Sequence, residues 1–233
     1  MHIRADIRTV PVAAALVASL AACVSPRPFA EPQSAAQFAS EIAAFDSADR
    51  ANPPAQGGVV FTGSSSIRLW PNLAADFPGV TVSNRGFGGS TLPDVSFYIP
   101  HTVLPARPRL IVVYAGDNDL ASGRTPAQIA DDYRMFVRRA RRALPGTRIV
   151  YVSIKPSPSR WSLAAGMCEA NALIAAEIAH DSLAAFVNVF DAMLGPTGYP
   201  RAELFQDDSL HMTAAGYVIW RDRLAPVLSG LRR

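Results

Sequence analysis

The chain predicts an α/β domain built on a mainly parallel sheet, and three observations carry that expectation. From Ser34 onward, strand-like runs alternate with helical patterns, the order that arises when covering helices join successive parallel strands. The run Leu110-Ile111-Val112-Val113-Tyr114 has no polar alternation, so this strand is covered on both faces and is the candidate centre of the sheet. The later helices carry apolar stripes at helical spacing with recognisable ends.

In chain order, a helix is expected over 34–50, then strands over 58–62 and 80–84. A shorter helix over 91–99 leads to the strand at 109–115. The helix over 126–143 has Thr125 as N-cap and Pro126 in its first turn. Ile129, Tyr133, Phe136, Val137, Ala140 and Leu144 form its stripe, and Pro145-Gly146 stops it. A strand over 147–154, a helix over 163–180 and a strand over 185–190 follow. In the last helix, over 213–229, Thr213 is the candidate N-cap and Tyr217, Trp220, Leu224 and Leu228 share a face. Pro226 should kink or fray its final turns. No internal repeat is found, and residues 34–233 read as one domain.

Composition narrows the class. The 233 residues are 49% apolar and 18% charged, enough for one substantial core and too apolar for wholesale disorder. Arg4 and Arg8 precede an apolar stretch over 10–20 that is too short to span a bilayer and suits the core of a signal peptide. It ends Leu20-Ala21-Ala22-Cys23, which resembles the lipobox of bacterial lipoproteins. That resemblance implies cleavage after residue 22 and lipidation of Cys23 on a bacterial, extracytoplasmic protein. Val24 follows without an acidic retention signal, which points to the outer membrane facing the periplasm. Several acyl chains would anchor the chain stably, since each buried methylene contributes about 0.8 kcal/mol. Residues 23–33, with Pro26, Pro28 and Pro32, read as lipidated cysteine and tether, reaching about 30 Å when extended.

Without residues 1–22, 20 basic and 18 acidic residues leave a formal charge of +2, too weak to argue for nucleic acid. The cluster Arg138, Arg139, Arg141 and Arg142 reads as a solvated helix face. Cys168 would remain as the one thiol, expected to be a small buried residue in its apolar neighbourhood. The four histidines, His2, His101, His180 and His211, form no zinc-like set, and no cofactor is implied.

Four short motifs follow strand-like runs or precede a helix. Gly63-Ser64-Ser65-Ser66 comes directly after Val59-Val60-Phe61. Asn84-Arg85-Gly86-Phe87-Gly88-Gly89-Ser90-Thr91 and Gly116-Asp117-Asn118-Asp119 also follow strands, and Asp208-Ser209-Leu210-His211 precedes the last helix. A serine hydroxyl is a poor nucleophile until a base takes its proton, and His211 is the candidate base. Asp208, three residues away, can hold the histidine tautomer and stabilise the imidazolium. Charge developing on a carbonyl oxygen needs donors already aimed at it. The N–H of Ser65, the N–H of Gly89 and the side-chain amide of Asn118 are candidates. Each has a structural competitor: Gly88-Gly89 can serve a turn, and Asn118 can cap one.

In this arrangement the chain resembles the SGNH, or GDSL, hydrolases over nearly the whole domain. The nucleophile of their Gly-Asp-Ser block falls on Ser65, their oxyanion glycine on Gly89, their Gly-x-Asn-Asp on residues 116–119 with Asn118 as second donor, and their Asp-x-x-His on Asp208 and His211. Ser64 departs from the usual aspartate, as in a branch of the family with Gly-Ser-Ser-Ser. The resemblance implies a three-layer, flavodoxin-like α/β/α sandwich of five strands with its site at the strands' C-terminal edge. The α/β-hydrolase elbow is disfavoured, because Ile67 stands where it needs glycine. The implied activity is hydrolysis of carboxylic esters, with short-chain acyl or acetyl groups on a small-molecule or glycan alcohol. Carbohydrate O-deacetylase, acyltransferase and noncatalytic envelope binding lipoprotein are the competing readings. Trp161 is a candidate for lining the cleft or for packing, Trp70 for the core, Asp119 for a structural hydrogen bond and Arg85 for packing beside the site.

Overall fold

The structure, a computed structural model, describes Pro32 and residues 34–230. The expectations for residues 1–22, Cys23 and most of the tether lie outside the described residues. Five strands, β1 (Val59–Gly63), β2 (Val82–Gly86), β3 (Leu110–Tyr114), β4 (Arg148–Val152) and β5 (Ala184–Val187), form one sheet in the order β2-β1-β3-β4-β5. Every neighbouring pair is parallel. The strand order reverses between β1 and β3, so their C-terminal ends open a crevice of the kind in which open α/β sheets bind ligands.

The helices are α1 (Ala39–Ala51), α2 (Ser65–Arg68), α3 (Leu73–Asp76), α4 (Leu92–Phe97), α5 (Ile99–Thr102), α6 (Asp117–Ala121), α7 (Pro126–Ala143), α8 (Ala164–Ile178) and α9 (Ala214–Ser229). They cover both faces of the sheet, and β3 shows why its sequence does not alternate. Ile111 and Val113 join one core with Ile42, Val95, Ile129, Phe136 and Ile174. Leu110, Val112 and Tyr114 point the other way, into a second core with Ile67, Trp70, Phe77, Trp220 and Leu224. A two-residue side-chain period with both faces buried therefore makes every position apolar. The second core is strongly aromatic: Trp70 meets Phe61, Phe77, Tyr217 and Trp220 at centroid distances of 5.1 to 5.9 Å. Complete burial of such side chains contributes about 1.5–3 kcal/mol each.

The expected helix ends are borne out at α7, where Thr125 Oγ1 accepts from Gln128 N and Gln128 Oε1 accepts from Thr125 N, at 3.3 and 2.9 Å. Thr213 is the N-cap of α9 as expected, but its hydroxyl donates to the Glu203 carbonyl at 3.0 Å instead of accepting from a first-turn amide. Pro226, expected to kink or fray the final turns, lies inside α9, which continues to Ser229 with the expected face buried on Tyr217, Trp220, Leu224 and Leu228. The expected 91–99 helix is divided into α4 and α5 at Tyr98, two residues before Pro100. Strand ends shift where side chains replace the ladder. Asn171 clamps both backbone groups of Ile154 beyond β4, and Ser153 Oγ accepts from Val189 N and Phe190 N beyond β5. Cys168, expected to be buried, is exposed, because Met167, Ala170 and Ile174 take the inner face of α8.

Two features place the sheet's C-terminal edge. Gly63 ends β1 at φ 137°, and a Cβ there would lie 1.9 Å from the Tyr114 carbonyl oxygen. Only glycine lets β1 and β3 approach this closely while the chain turns into α2. Asp119 ties the ends of β3 and β2 together, its buried carboxylate accepting from Leu92 N at 3.0 and 3.3 Å. Burial pushes Asp119 up to about 7; Leu92 N–H and Arg124 oppose this, while Asp132 and Asp117 add to it.

Gly63→Ala is expected to cost about 3 kcal/mol or more, from overpacking and backbone strain together. Urea unfolding followed by tryptophan fluorescence checks this, and a wild-type midpoint would contradict the packing argument. Asp119 has a different signature. Since its ordinary value is 3.8, the folded state retains a proton that the unfolded chain has lost between about pH 4 and pH 7. Its contribution to stability therefore falls as pH rises through that window. Asp119→Asn keeps an acceptor for Leu92 N–H, and the variant's urea midpoint should decline less than the wild type's between about pH 5 and pH 8.

Candidate active site

Ser65 begins α2, immediately after the Gly63-Ser64 turn, where a helix's first amides have no intrahelical acceptor. The position of α2 is fixed from two sides. Asn84 Nδ2 donates to the Ile67 carbonyl at 2.7 Å, and the Tyr217 hydroxyl of α9 donates to the Ser66 carbonyl at 3.0 Å. Ser64 is fully buried beside it, and its Oγ has no partner among the described residues. At this position the small side chain fills space in the turn.

Ser65 Oγ lies 2.9 Å from His211 Nε2, and His211 Nδ1 lies 2.5 Å from Asp208 Oδ2. The histidine and aspartate share one short loop, closed at its base by the antiparallel bridge of Phe205 with Met212. Asp208 Oδ1 accepts from both Leu210 N and His211 N at 2.9 Å, and Ser209 takes the left-handed conformation that this tight turn needs. The slight burial of the Asp208 carboxyl would raise its pKa. The two amides and the His211 ring outweigh that effect and bring it down to about 2. The carboxylate is therefore ionised throughout the neutral range, which places a donor on the facing Nδ1 and leaves Nε2 to accept from the serine.

Gly89 follows β2 at φ 81°, and the space where a Cβ would stand is open. Asn118, at the start of α6 beyond β3, donates from Nδ2 to the Ser90 carbonyl at 3.1 Å and accepts at Oδ1 from Arg160 at 2.9 Å. Ser65, Gly89, Asn118 and His211 line one cavity of about 480 Å³ together with Glu41, Arg68, Gly88, Arg160 and Leu210. Ser65, Gly89 and Asn118 thus reach one place from the ends of β1, β2 and β3, and His211 reaches it from the loop before α9.

Three lining residues were not singled out from sequence. Arg68 stands one helical turn after Ser65, a spacing that could have marked it as a neighbour. Glu41 comes from α1, 3.8 Å from Arg68 Nε and 3.5 Å from Gly88 N, and no local pattern announces so distant a contact. Arg160 sits in the loop after β4. The other candidates resolve simply. Arg85 is held by Asp49 at 2.6 and 3.1 Å beneath Phe45, bracing β2 to α1 rather than facing the cavity. Trp161 stacks on Phe190 and meets Tyr199 edge-on, so its role is packing.

Solved structures with this fold include a GDSL-like lipase from Bacteroides thetaiotaomicron, 20% identical over 84% of this chain and 97% of that one, with a TM-score of 0.65. A lipase/acylhydrolase from Enterococcus faecalis is 19% identical over 76% and 98%, with a TM-score of 0.58. A carbohydrate esterase family 3 protein from Talaromyces cellulolyticus is 17% identical over 76% and 98%, with a TM-score of 0.60. At these identities the likeness shows the shared fold. Comparison with curated proteins finds no match. The family model for the GDSL-like lipase/acylhydrolases matches residues 54–219, which takes in all five strands and the cavity-lining residues other than Glu41. The chain belongs to the GDSL-like lipase/acylhydrolase family and is a hydrolase.

Proposed function

We propose that the protein is a serine esterase for short-chain acyl or acetyl esters, with Ser65 as nucleophile, His211 as general base and acid, and Asp208 as the carboxylate that orients it. The observation that carries this reading is the unbroken series from Asp208 Oδ2 through His211 to Ser65 Oγ, opening on a cavity whose other wall is Gly89 and Asn118. His211 Nε2 takes the hydroxyl proton as Ser65 Oγ attacks the ester carbonyl. The carbonyl electron pair moves to oxygen, where Ser65 N–H, Gly89 N–H and Asn118 Nδ2 are the donors available to hold it. Collapse expels the alcohol, protonated by His211, and leaves an acyl-serine. Water, deprotonated by the same histidine, then attacks the acyl-serine and returns the free acid and Ser65.

Sugar O-deacetylation is a second reading, and one feature favours it. A neighbouring cavity of about 660 Å³ shares Gly89, Asn118 and Arg160 with the catalytic one and continues past Ser34, Gln37, Thr91 and Ser122. Hydroxyl, amide and charged side chains alternate along that wall with Pro32, Pro93 and Ala121, and these hydrogen-bonding groups give a polyhydroxylated alcohol partners that a long acyl chain cannot use. The sequence reading also places the enzyme outside the cytoplasm on a lipid anchor at Cys23. Mass spectrometry of membrane-extracted protein should find an N-terminal cysteine diacylated at sulfur and acylated at its amine, and a chain retaining residues 1–22 would refute that location.

Hydrolysis of p-nitrophenyl acetate, butyrate and octanoate should decline with chain length, and Ser65→Ala should lose roughly 10³-fold or more in kcat. A folded wild type that hydrolyses none of these esters and resists a fluorophosphonate would overturn the esterase reading. Asp208→Asn is expected to lose up to about 10⁴-fold in kcat, because the amide favours the wrong tautomer of His211. Its pH signature is separate. Asp208 is depressed from 3.8 to about 2, so its contribution to stability is present above about pH 4 and disappears as pH falls towards 2. The wild type's advantage over Asp208→Asn in urea midpoint should therefore shrink across that interval.

A further inference from the structure

A side-chain amide can face a site with its nitrogen or its oxygen, and only the nitrogen helps an oxyanion. Two contacts set the Asn118 amide. The Ser90 carbonyl accepts from Nδ2, and Arg160 donates to Oδ1 at 2.9 Å. The Ser90 contact leaves Nδ2 one further hydrogen for the cavity. Arg160 is held in turn by charge: its second terminal nitrogen forms an ion pair with Asp117 Oδ2 at 3.2 Å, outside hydrogen-bond geometry, and Lys155 Nζ lies 3.6 Å from the same oxygen. The other oxygen of Asp117 accepts the backbone N–H of Asn118 at 3.0 Å. Asp117 and Lys155 are almost fully buried, whereas the Arg160 side chain remains 20% exposed at the cavity. Burial pushes the Lys155 ammonium down, and Asp117 works against that effect. The hydroxyl of Tyr114, the ring of Phe205 and the more distant Asp208 are the other groups facing this cluster. The mechanism above uses neither Lys155, Asp117 nor Arg160.

The Arg160 loop also reaches the opposite wall of the site. Ser159 N donates to the Ser209 carbonyl at 3.1 Å, inside the turn that carries Asp208 and His211. One short segment thus touches both the oxyanion side and the base side of the cavity.

We propose that Arg160 is a positioning residue for the oxyanion hole, its guanidinium fork spanning Asp117 and Asn118 so that Asn118 Nδ2 points at the developing oxyanion. The inference rests on the esterase reading above for its catalytic meaning. The planar fork is essential to it, since a lysine at 160 offers a point charge that cannot hold Asp117 and the amide oxygen in fixed register.

The test is a double-mutant cycle on p-nitrophenyl acetate with Arg160→Ala, Asn118→Ala and the pair, and Arg160→Lys alongside. Activity present in wild type and absent in Ser65→Ala first secures the esterase reading, so its failure is seen separately. Arg160→Ala should then lower kcat about 10- to 100-fold with KM within about twofold, and Arg160→Lys should recover little. In the Asn118→Ala background, removing Arg160 should cost less than about twofold. Equal losses in both backgrounds, or a loss confined to KM, would overturn the proposal and make Arg160 a substrate contact. Nitrogen-15 NMR of the Asn118 side-chain amide in Ser65→Ala protein reads orientation without turnover. Added Arg160→Ala should shift those resonances and raise their mobility, and unchanged resonances would also refute the role.

Discussion

The approach of β1 to β3 at Gly63 is the constraint on which the site depends. The Tyr114 carbonyl occupies the space of a side chain at that position, so the strand can end and turn into α2 without moving away from the centre of the sheet. Ser65 then emerges where the strand order reverses, flanked by the ends of β2 and β3. Gly89 and Asn118 need no separate framework to reach the cavity, because they lie just beyond those two strand ends. The interior that holds this edge is split by the sheet into two cores, and the aromatic one carries α9, whose Tyr217 hydroxyl grips the backbone of α2.

Charge is distributed unevenly around the cavity. Asp208 sits in a half-exposed loop and is kept ionised by two amides and a histidine ring. Asp119, the residue after Asn118, is enclosed and pushed in the opposite direction. The contrast follows from hydrogen-bond count and solvent access: a carboxylate with several donors in a wet loop remains an anion, whereas one sealed between strand ends gives up its charge readily. Three ionic side chains lie beside Asn118, linked through the Asp117 carboxylate; Asp117 and Lys155 are enclosed, whereas Arg160 also reaches the cavity.

Most of the fold was legible because its signals are local. Binary pattern and turn chemistry locate all five strands and the long helices, and Thr125-Pro126 marks a helix start that the hydrogen bonds bear out. The residues that meet at the cavity were legible through their four motifs. Glu41 and Arg160 were not, since what makes them neighbours is tertiary: α1 crosses the mouth from about fifty residues upstream of Gly89, and the loop after β4 folds over Asn118. Cys168 failed for a related reason. An apolar neighbourhood in sequence does not say which face of α8 turns inward, and Met167 and Ile174 took that face. Pro226 lies in the last turn of α9, where little of the helix remains to be disrupted.

The two ends of the described chain sit differently with respect to the cavity. Pro32, Ser34 and Gln37 form part of the wall of the groove that continues the cavity of Ser65 and His211. Helix α9 starts beside His211 at the strands' C-terminal edge and runs 16 residues, about 24 Å, towards the other edge. A fusion partner, affinity handle or solid support joined directly at Pro32 therefore stands at the rim of the groove and competes with substrate for access. The same attachment after Ser229 leaves the groove facing outward. For an immobilised form of this enzyme, the choice of terminus sets the orientation of the catalytic face.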